Sequence, residues 1–177
     1  MIRRLLLGAV VAVMAISMAV AQPLGDTVRR AEQGDAYAQN ILGNRYNYGL
    51  GVIQDHAEGA RWYRKAADQG YAISQNNLGL MYLNGEGVPQ DHAEAVRWFR
   101  KAAEQGLAQA QGWLGYMYYF GRGVPQDDLL AHMWFDLSAA QGIQNTLQSR
   151  DAIARQMTPD QIAEAQRLAR EWKPNSR

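Results

Sequence analysis

From Ala36 to Gly142, apolar and polar positions alternate in steps of three and four residues, and the whole pattern returns every 36 residues. In the first half of each unit the recurring residues are Ala36, Gln39, Leu42, Gly43 and Tyr46. They are followed by Ala72, Gln75, Leu78, Gly79 and Tyr82, then by Ala108, Gln111, Leu114, Gly115 and Tyr118. Such steps place them on one face of a helix. The second half carries Trp62, Trp98 and Trp134, followed by Tyr63, Phe99 and Phe135, and closes at Gly70, Gly106 and Gly142. Each unit therefore predicts two helices, and a period of this length marks stacked helical hairpins. The predicted fold is all-α, an α/α solenoid of three hairpins.

The connections support the same plan. "GVIQD" at 51–55 becomes "GVPQD" at 87–91 and 123–127. Gly49, Gly85 and Gly121 are placed to end a helix in the left-handed conformation, Pro89 and Pro125 stiffen the link, and Asp55, Asp91 and Asp127 are placed to cap the next helix. Glu58 and Glu94, three residues after the first two aspartates, predict a reciprocal capping box; the third copy has Leu130 there. A glycine inside a helix costs about 1 kcal/mol, so Gly43, Gly79 and Gly115 predict a helix approaching too closely for a side chain. Burying each recurring aromatic removes about 150–250 Å² from water.

The ends complete the layout. Residues 1–21 have the basic start Arg3 and Arg4, an apolar run from Leu5 to Val20, and Ala19 and Ala21 before Gln22. This predicts a bacterial signal peptide cleaved after Ala21, and hence a periplasmic or secreted protein. Residues 22–35 contain half a unit, an N-terminal cap. The repeats occupy 36–142, as 36–71, 72–107 and 108–142. Residues 143–173 form C-terminal capping helices, where Thr158, Pro159 and Gln161 start a helix and Ile162, Ala165, Leu168, Ala169 and Trp172 form its apolar stripe. Residues 174–177 are expected to be a disordered tail.

Composition narrows the function. The chain has 18 basic and 17 acidic residues; loss of Arg3 and Arg4 leaves 16 against 17, a net charge of −1. That balance gives no electrostatic case for nucleic acid or an anionic membrane, nor does anything predict membrane insertion once the leader is removed. The absence of cysteine excludes disulfides and thiolate metal sites.

The recurring residues, written "LG.MY..G.GVPQD...A..W..KAAEQG", closely resemble the Sel-one-like repeat, a relative of the tetratricopeptide repeat. The segment "MTPDQIAEAQRLAREW" is similar to the closing segment of exported family members. The resemblance implies a TPR-like scaffold for protein complexes in the bacterial envelope. Some exported, cysteine-rich relatives are linked to β-lactam binding or hydrolysis, from which this cysteine-free chain departs.

Catalytic patterns are missing. None of Ser17, Ser74, Ser138, Ser149 or Ser176 has a lysine three residues on, so there is no Ser-x-x-Lys; Gly-x-Ser-x-Gly, His-Glu-x-x-His and phosphate-binding loops are also absent. His56 and His92 share one repeat position and should lie about 10 Å apart, too far to share one zinc at about 2.1 Å. His132 aligns with Ala60 and Val96, which look core-facing. No cofactor or metal site is expected, and the chain is read as a non-enzyme.

Function is then expected where the units differ. On the first helix that stripe is Tyr37, Asn40, Asn44, Asn47 and Tyr48 in unit one; Ile73, Asn76, Leu80, Leu83 and Asn84 in unit two; and Gln109, Gly112, Tyr116, Tyr119 and Phe120 in unit three, with Trp113 adjacent. The tetratricopeptide likeness implies that this face lines a concave groove. Amides at one end and rings at the other suit an extended peptide. The same residues allow a solvated surface for the asparagines and cover by the C-terminal helices for Trp113, Tyr116 and Phe120. The expected function is a protein-binding adaptor, scaffold or regulator in the envelope. The alternatives are a β-lactam-interacting or cell-wall hydrolytic enzyme, and a glycan-binding module.

Overall fold

A computed structural model describes residues 23–175, so the predicted leader lies outside the described residues. Nine helices occur among them: α1 (Leu24–Glu32), α2 (Ala36–Tyr48), α3 (His56–Asp68), α4 (Ala72–Asn84), α5 (His92–Glu104), α6 (Ala108–Phe120), α7 (Asp128–Ala140), α8 (Gln144–Ala154) and α9 (Pro159–Glu171). Each helix from α1 to α8 packs against its neighbours in chain order, which is the arrangement of an α/α solenoid. The hairpins are α2 with α3, α4 with α5, and α6 with α7; α1 is the half-unit on which α2 rests. Helix α8 follows α7 as though it opened a fourth hairpin, but α9 turns back and packs on α7. Among the described residues no helix is long and apolar enough to cross a membrane.

The corners are built by a fixed set of residues. Gly49, Gly85 and Gly121 close the first helices at φ of 68°, 74° and 61°. The carboxylates of Asp55, Asp91 and Asp127 accept from the amides of Glu58, Glu94 and Leu130 at 2.9, 3.0 and 2.9 Å. The reciprocal half of the capping box expected at Glu58 and Glu94 does not form. Those carboxylates turn to Arg61 and Arg97, each at 2.7 Å, because a charged donor three residues on offers a stronger bond than a neutral amide. The complete box occurs at Thr158 and Gln161. Gly87 and Gly123 serve the stacking of units, because a Cβ there would lie 2.2 and 2.3 Å from the carbonyl oxygens of His56 and His92. Each corner thus rests on the backbone that begins the second helix of the preceding unit.

The interior follows from glycine and aromatic positions in register. A Cβ on Gly43, Gly79 or Gly115 would come within 2.6, 2.7 or 2.8 Å of the ring of Tyr63, Phe99 or Phe135. The helix that approaches is therefore the unit's own partner, with its ring lying over the glycine. Trp62, Trp98 and Trp134 are buried, Trp62 in a cluster with Ala31 and Ala38, Trp98 with Ala60 and Ala67 of the preceding unit, and Trp134 with Ala95, Ala102 and Ala103.

Glutamines tie the hairpins together. Nε2 of Gln39, Gln75 and Gln111 donates to the carbonyls of Ala31, Ala67 and Ala103 at 3.0, 3.1 and 3.3 Å. The Oε1 atoms of the same residues accept from Gln69, Gln105 and Gln141 at 2.7, 2.7 and 2.8 Å. Each bond chain links the second helix of one unit to both helices of the next, and burial makes its loss costly. Arg64 donates to the hydroxyl of Tyr82 and Arg100 to that of Tyr118. One period later Asp136 replaces the arginine and pairs with Arg150 of α8 at 2.9 Å.

At the C-terminal end, Trp172 meets Trp134 edge to face, with ring centroids 6.0 Å apart, and Leu168 and Ala169 join the same cluster. Pro174 lies beside Gly106, and the amide of Asn175 donates to the carbonyl of Glu104 at 2.8 Å. These two residues, expected in a disordered tail, are held by the end of α5; Ser176 and Arg177 lie outside the described residues.

Candidate partner-binding face

The variable stripe of the first helices separates into a buried middle and open ends. Tyr48, Ile73 and Phe120 are 42%, 45% and 50% exposed, and Asn84 and Gln109 are also exposed. Tyr37, Leu80, Trp113, Tyr116 and Tyr119 are half-buried.

Asn40, Asn44, Asn47 and Asn76 are buried, which corrects the expectation that they present amides to a partner. Asn40 Oδ1 accepts from Ser74 Oγ at 2.9 Å and from Asn77 Nδ2 at 3.4 Å. Asn44 Oδ1 accepts from the Tyr63 hydroxyl at 2.6 Å, and Asn47 Oδ1 stands 2.7 Å from His56 Nδ1. Asn76 Oδ1 is buried with no hydrogen-bond partner. Side chains of the unit's second helix and of the next first helix reach across this stripe, so the amides of Asn40, Asn44 and Asn47 hold helices together. Leu83 is buried as well.

Between units one and two the face opens into a cleft of about 120 Å³, with Leu80, Met81 and the Tyr63 ring among its walls and Asn47, Tyr48, Asn84 and Glu86 around it. Burial chiefly raises the phenol pKa of Tyr48, with the nearby negative charge of Glu86 adding to the effect. The deeply buried Tyr63 phenol is pushed well above its ordinary value by burial. Neither hydroxyl is poised to ionise near neutral pH.

In unit three the stripe is aromatic. Trp113 stacks on Phe99 at 5.9 Å, Tyr116 lies 5.8 Å from Trp113, and Phe120 packs 4.5 Å from Tyr116 and 4.7 Å from Tyr119. The guanidinium of Arg122 sits 5.4 and 5.6 Å from the Tyr116 and Phe120 rings. Ile153 of α8 and Met157 pack with Tyr116 and Tyr119, while α9 lies against α7 and leaves Phe120 open. The C-terminal segment therefore covers part of the patch.

Sequence reasoning missed Glu86 and Arg122. Both occupy the middle of a Gly-x-Gly turn, one period apart, where unit one has Leu50. A position that varies within an otherwise constant turn was the available signal. The histidines do not converge: His56 bonds Asn47, one period on Leu83 takes the place of that asparagine, and His132 is buried. Among the described residues no three His, Cys, Asp or Glu side chains are grouped to hold a metal.

The Sel1 repeat matches this chain three times, at residues 36–71, 72–107 and 108–143. The chain belongs to the Sel1 repeat family. Proteins of this family generally mediate protein–protein interaction, and their fold is typically a non-catalytic scaffold. Similar solved structures include a protective antigen of uropathogenic Escherichia coli strains that displays an SLR fold. It has a TM-score of 0.78 and 39% identity, over 82% of this chain and 31% of that one. A Sel1 repeat protein from Oxalobacter formigenes aligns with a TM-score of 0.65 and 39% identity, over 67% of this chain and 49% of that one. The chain thus spans about a third and about half of those two Sel1 repeat proteins. No curated protein matches it.

Proposed function

We propose that this Sel1 repeat chain is a non-catalytic periplasmic adaptor that binds an extended segment of another envelope protein along the exposed ends of its first helices. The observation that carries the reading is that Tyr48 and Phe120, at the C-terminal ends of the first helices of units one and three, stand open beside a cleft and a ring patch, with Ile73 open at the N-terminal end of the first helix of unit two. Apolar and aromatic groups exposed on a rigid scaffold supply anchors for a partner. Family membership supports the role, and the leader pattern at residues 1–21, with its apolar run from Leu5 to Val20, supports the compartment.

The test is a pull-down from envelope extract with the chain expressed with its own leader, beside a Tyr48→Ala, Ile73→Ala, Phe120→Ala variant. These three positions are exposed, so their truncation leaves the buried hydrogen bonds of the stripe intact. The reading expects a protein retained by the parent and lost by a variant with unchanged helical circular dichroism. Retention of no protein by the parent overturns it. The Phe120 and Tyr116 rings also leave room for the glycan reading, which pelleting with purified peptidoglycan would reveal.

A further inference from the structure

Two charged side chains on the proposed binding face have no opposite charge to meet. Glu86 stands at the cleft between units one and two, where its hydrogen-bond partner is the Asn84 amide at 3.2 Å. Arg122, one period on, rests against the Tyr116 and Phe120 rings. Both are exposed, and neither forms an ion pair among the described residues.

The cleft itself is selective. At about 120 Å³ it falls below the roughly 300–1,000 Å³ of small-molecule sites, so it holds a side chain and not a whole metabolite. Leu80 and Met81 offer an apolar wall for a methylene stem, while the exposed Asn84 amide oxygen and the Glu86 carboxylate offer acceptors to a cationic head. A lysine has this division between apolar stem and charged tip. Arg122 beside the rings offers a fork to a carboxylate. Adjacent repeats lie about 8–10 Å apart at ordinary helix spacing, and a peptide extended as polyproline II advances about 3.1 Å per residue with three residues per turn, so that residues three apart face the same way about 9 Å from each other. The two sites are therefore spanned by about three residues.

We propose that the partner segment is an extended peptide with a lysine seated at the cleft beside Glu86 and an acidic residue three positions away beside Arg122. This deepens the adaptor reading and rests on it. The opposed charges set the direction of the bound chain, since reversing the peptide would place like charges together.

The test is selection of a randomised decapeptide display library on the chain and on its charge-swapped form, Glu86→Lys with Arg122→Glu. The parent is expected to enrich a lysine and an acidic residue at a spacing of three, in one chain order, and the swapped form to enrich the opposite order. For the selected peptide, Lys→Ala is expected to weaken binding about three- to tenfold, and Glu86→Gln to do the same without adding to it. Enrichment lacking a paired charge, an unchanged order on the swapped protein, or no enrichment from the library overturns the proposal. If the envelope pull-down still yields a partner that depends on Tyr48, Ile73 and Phe120, the adaptor reading survives such a failure; if it yields none, both fall.

Discussion

Replacing Ala110 with serine adds one oxygen at a place where the molecule lacks one. In the first repeat junction Ser74 Oγ donates to Asn40 Oδ1 across two first helices at 2.9 Å. One period on, Asn76 takes the place of Asn40 and Ala110 that of Ser74. Asn76 Oδ1 is left buried without a partner, and Ala110 is fully buried beneath the same junction. A net hydrogen bond contributes about 0.5–1.5 kcal/mol, and the lower helix propensity of serine takes back up to about 0.5 kcal/mol. The expected gain is about 0.5–1 kcal/mol, or roughly 1–4 °C in melting temperature for a chain of this size. Urea and thermal unfolding followed by circular dichroism would read it, with Asn76→Leu as the background in which the gain should vanish. A melting temperature at or below the parent's, or a gain that persists with Leu at 76, would refute the reasoning.

Other outcomes follow from the same geometry. Tyr63→Phe should cost about 1–3 kcal/mol because Asn44 Oδ1 loses its 2.6 Å donor; adding Asn44→Leu, which copies the Phe99 and Leu80 arrangement of unit two, should recover most of it in urea titrations. Gly79→Ala should destabilise by about 1–3 kcal/mol despite better helix propensity, since its Cβ meets the Phe99 ring at 2.7 Å. Gly25→Ala, with open space around it, should be neutral or stabilising in the same assay. His132 is nearly fully buried, and burial lowers its pKa against the opposing pull of Asp136, with Arg150 and Asp151 also facing it. The unfolded chain then binds the proton first, so stability should decline as pH falls from about 6.5 through the folded pKa. His132→Val, matching Val96, should flatten that part of a melting-temperature profile against pH.

What the sequence revealed depended on whether a residue's role was local. The Gly49, Gly85 and Gly121 corners, the aspartate caps and the room made by Gly43, Gly79 and Gly115 follow from one helix or one turn, and repetition exposed them. The buried asparagines were harder to read because a first helix has neighbours on several sides. Its polar stripe at Asn40, Asn44 and Asn47 faces Ser74, Tyr63 and His56 instead of water, and a two-sided division into core and solvent misplaces it. The roles of Gln69, Gln105 and Gln141 were not legible locally, because their partners lie 30 residues away. The return of α9 onto α7 has no counterpart in the 36-residue period. Glu86 and Arg122 were visible as letters, but only the cleft and the ring patch gave them a place.

The contact between Asn175 and Glu104 spans 71 residues, whereas the hairpins close on neighbours within about one period. Short-range closure is fast and long-range closure is slow, and stacked repeats form and open by propagation between adjacent units. The clasp at Asn175 thus belongs to the last step of assembly. The glutamine bonds of the first two hairpins join residues made before Asn175, so a chain stopped near residue 157 is expected to keep an ordered beginning and fray from its unfinished end.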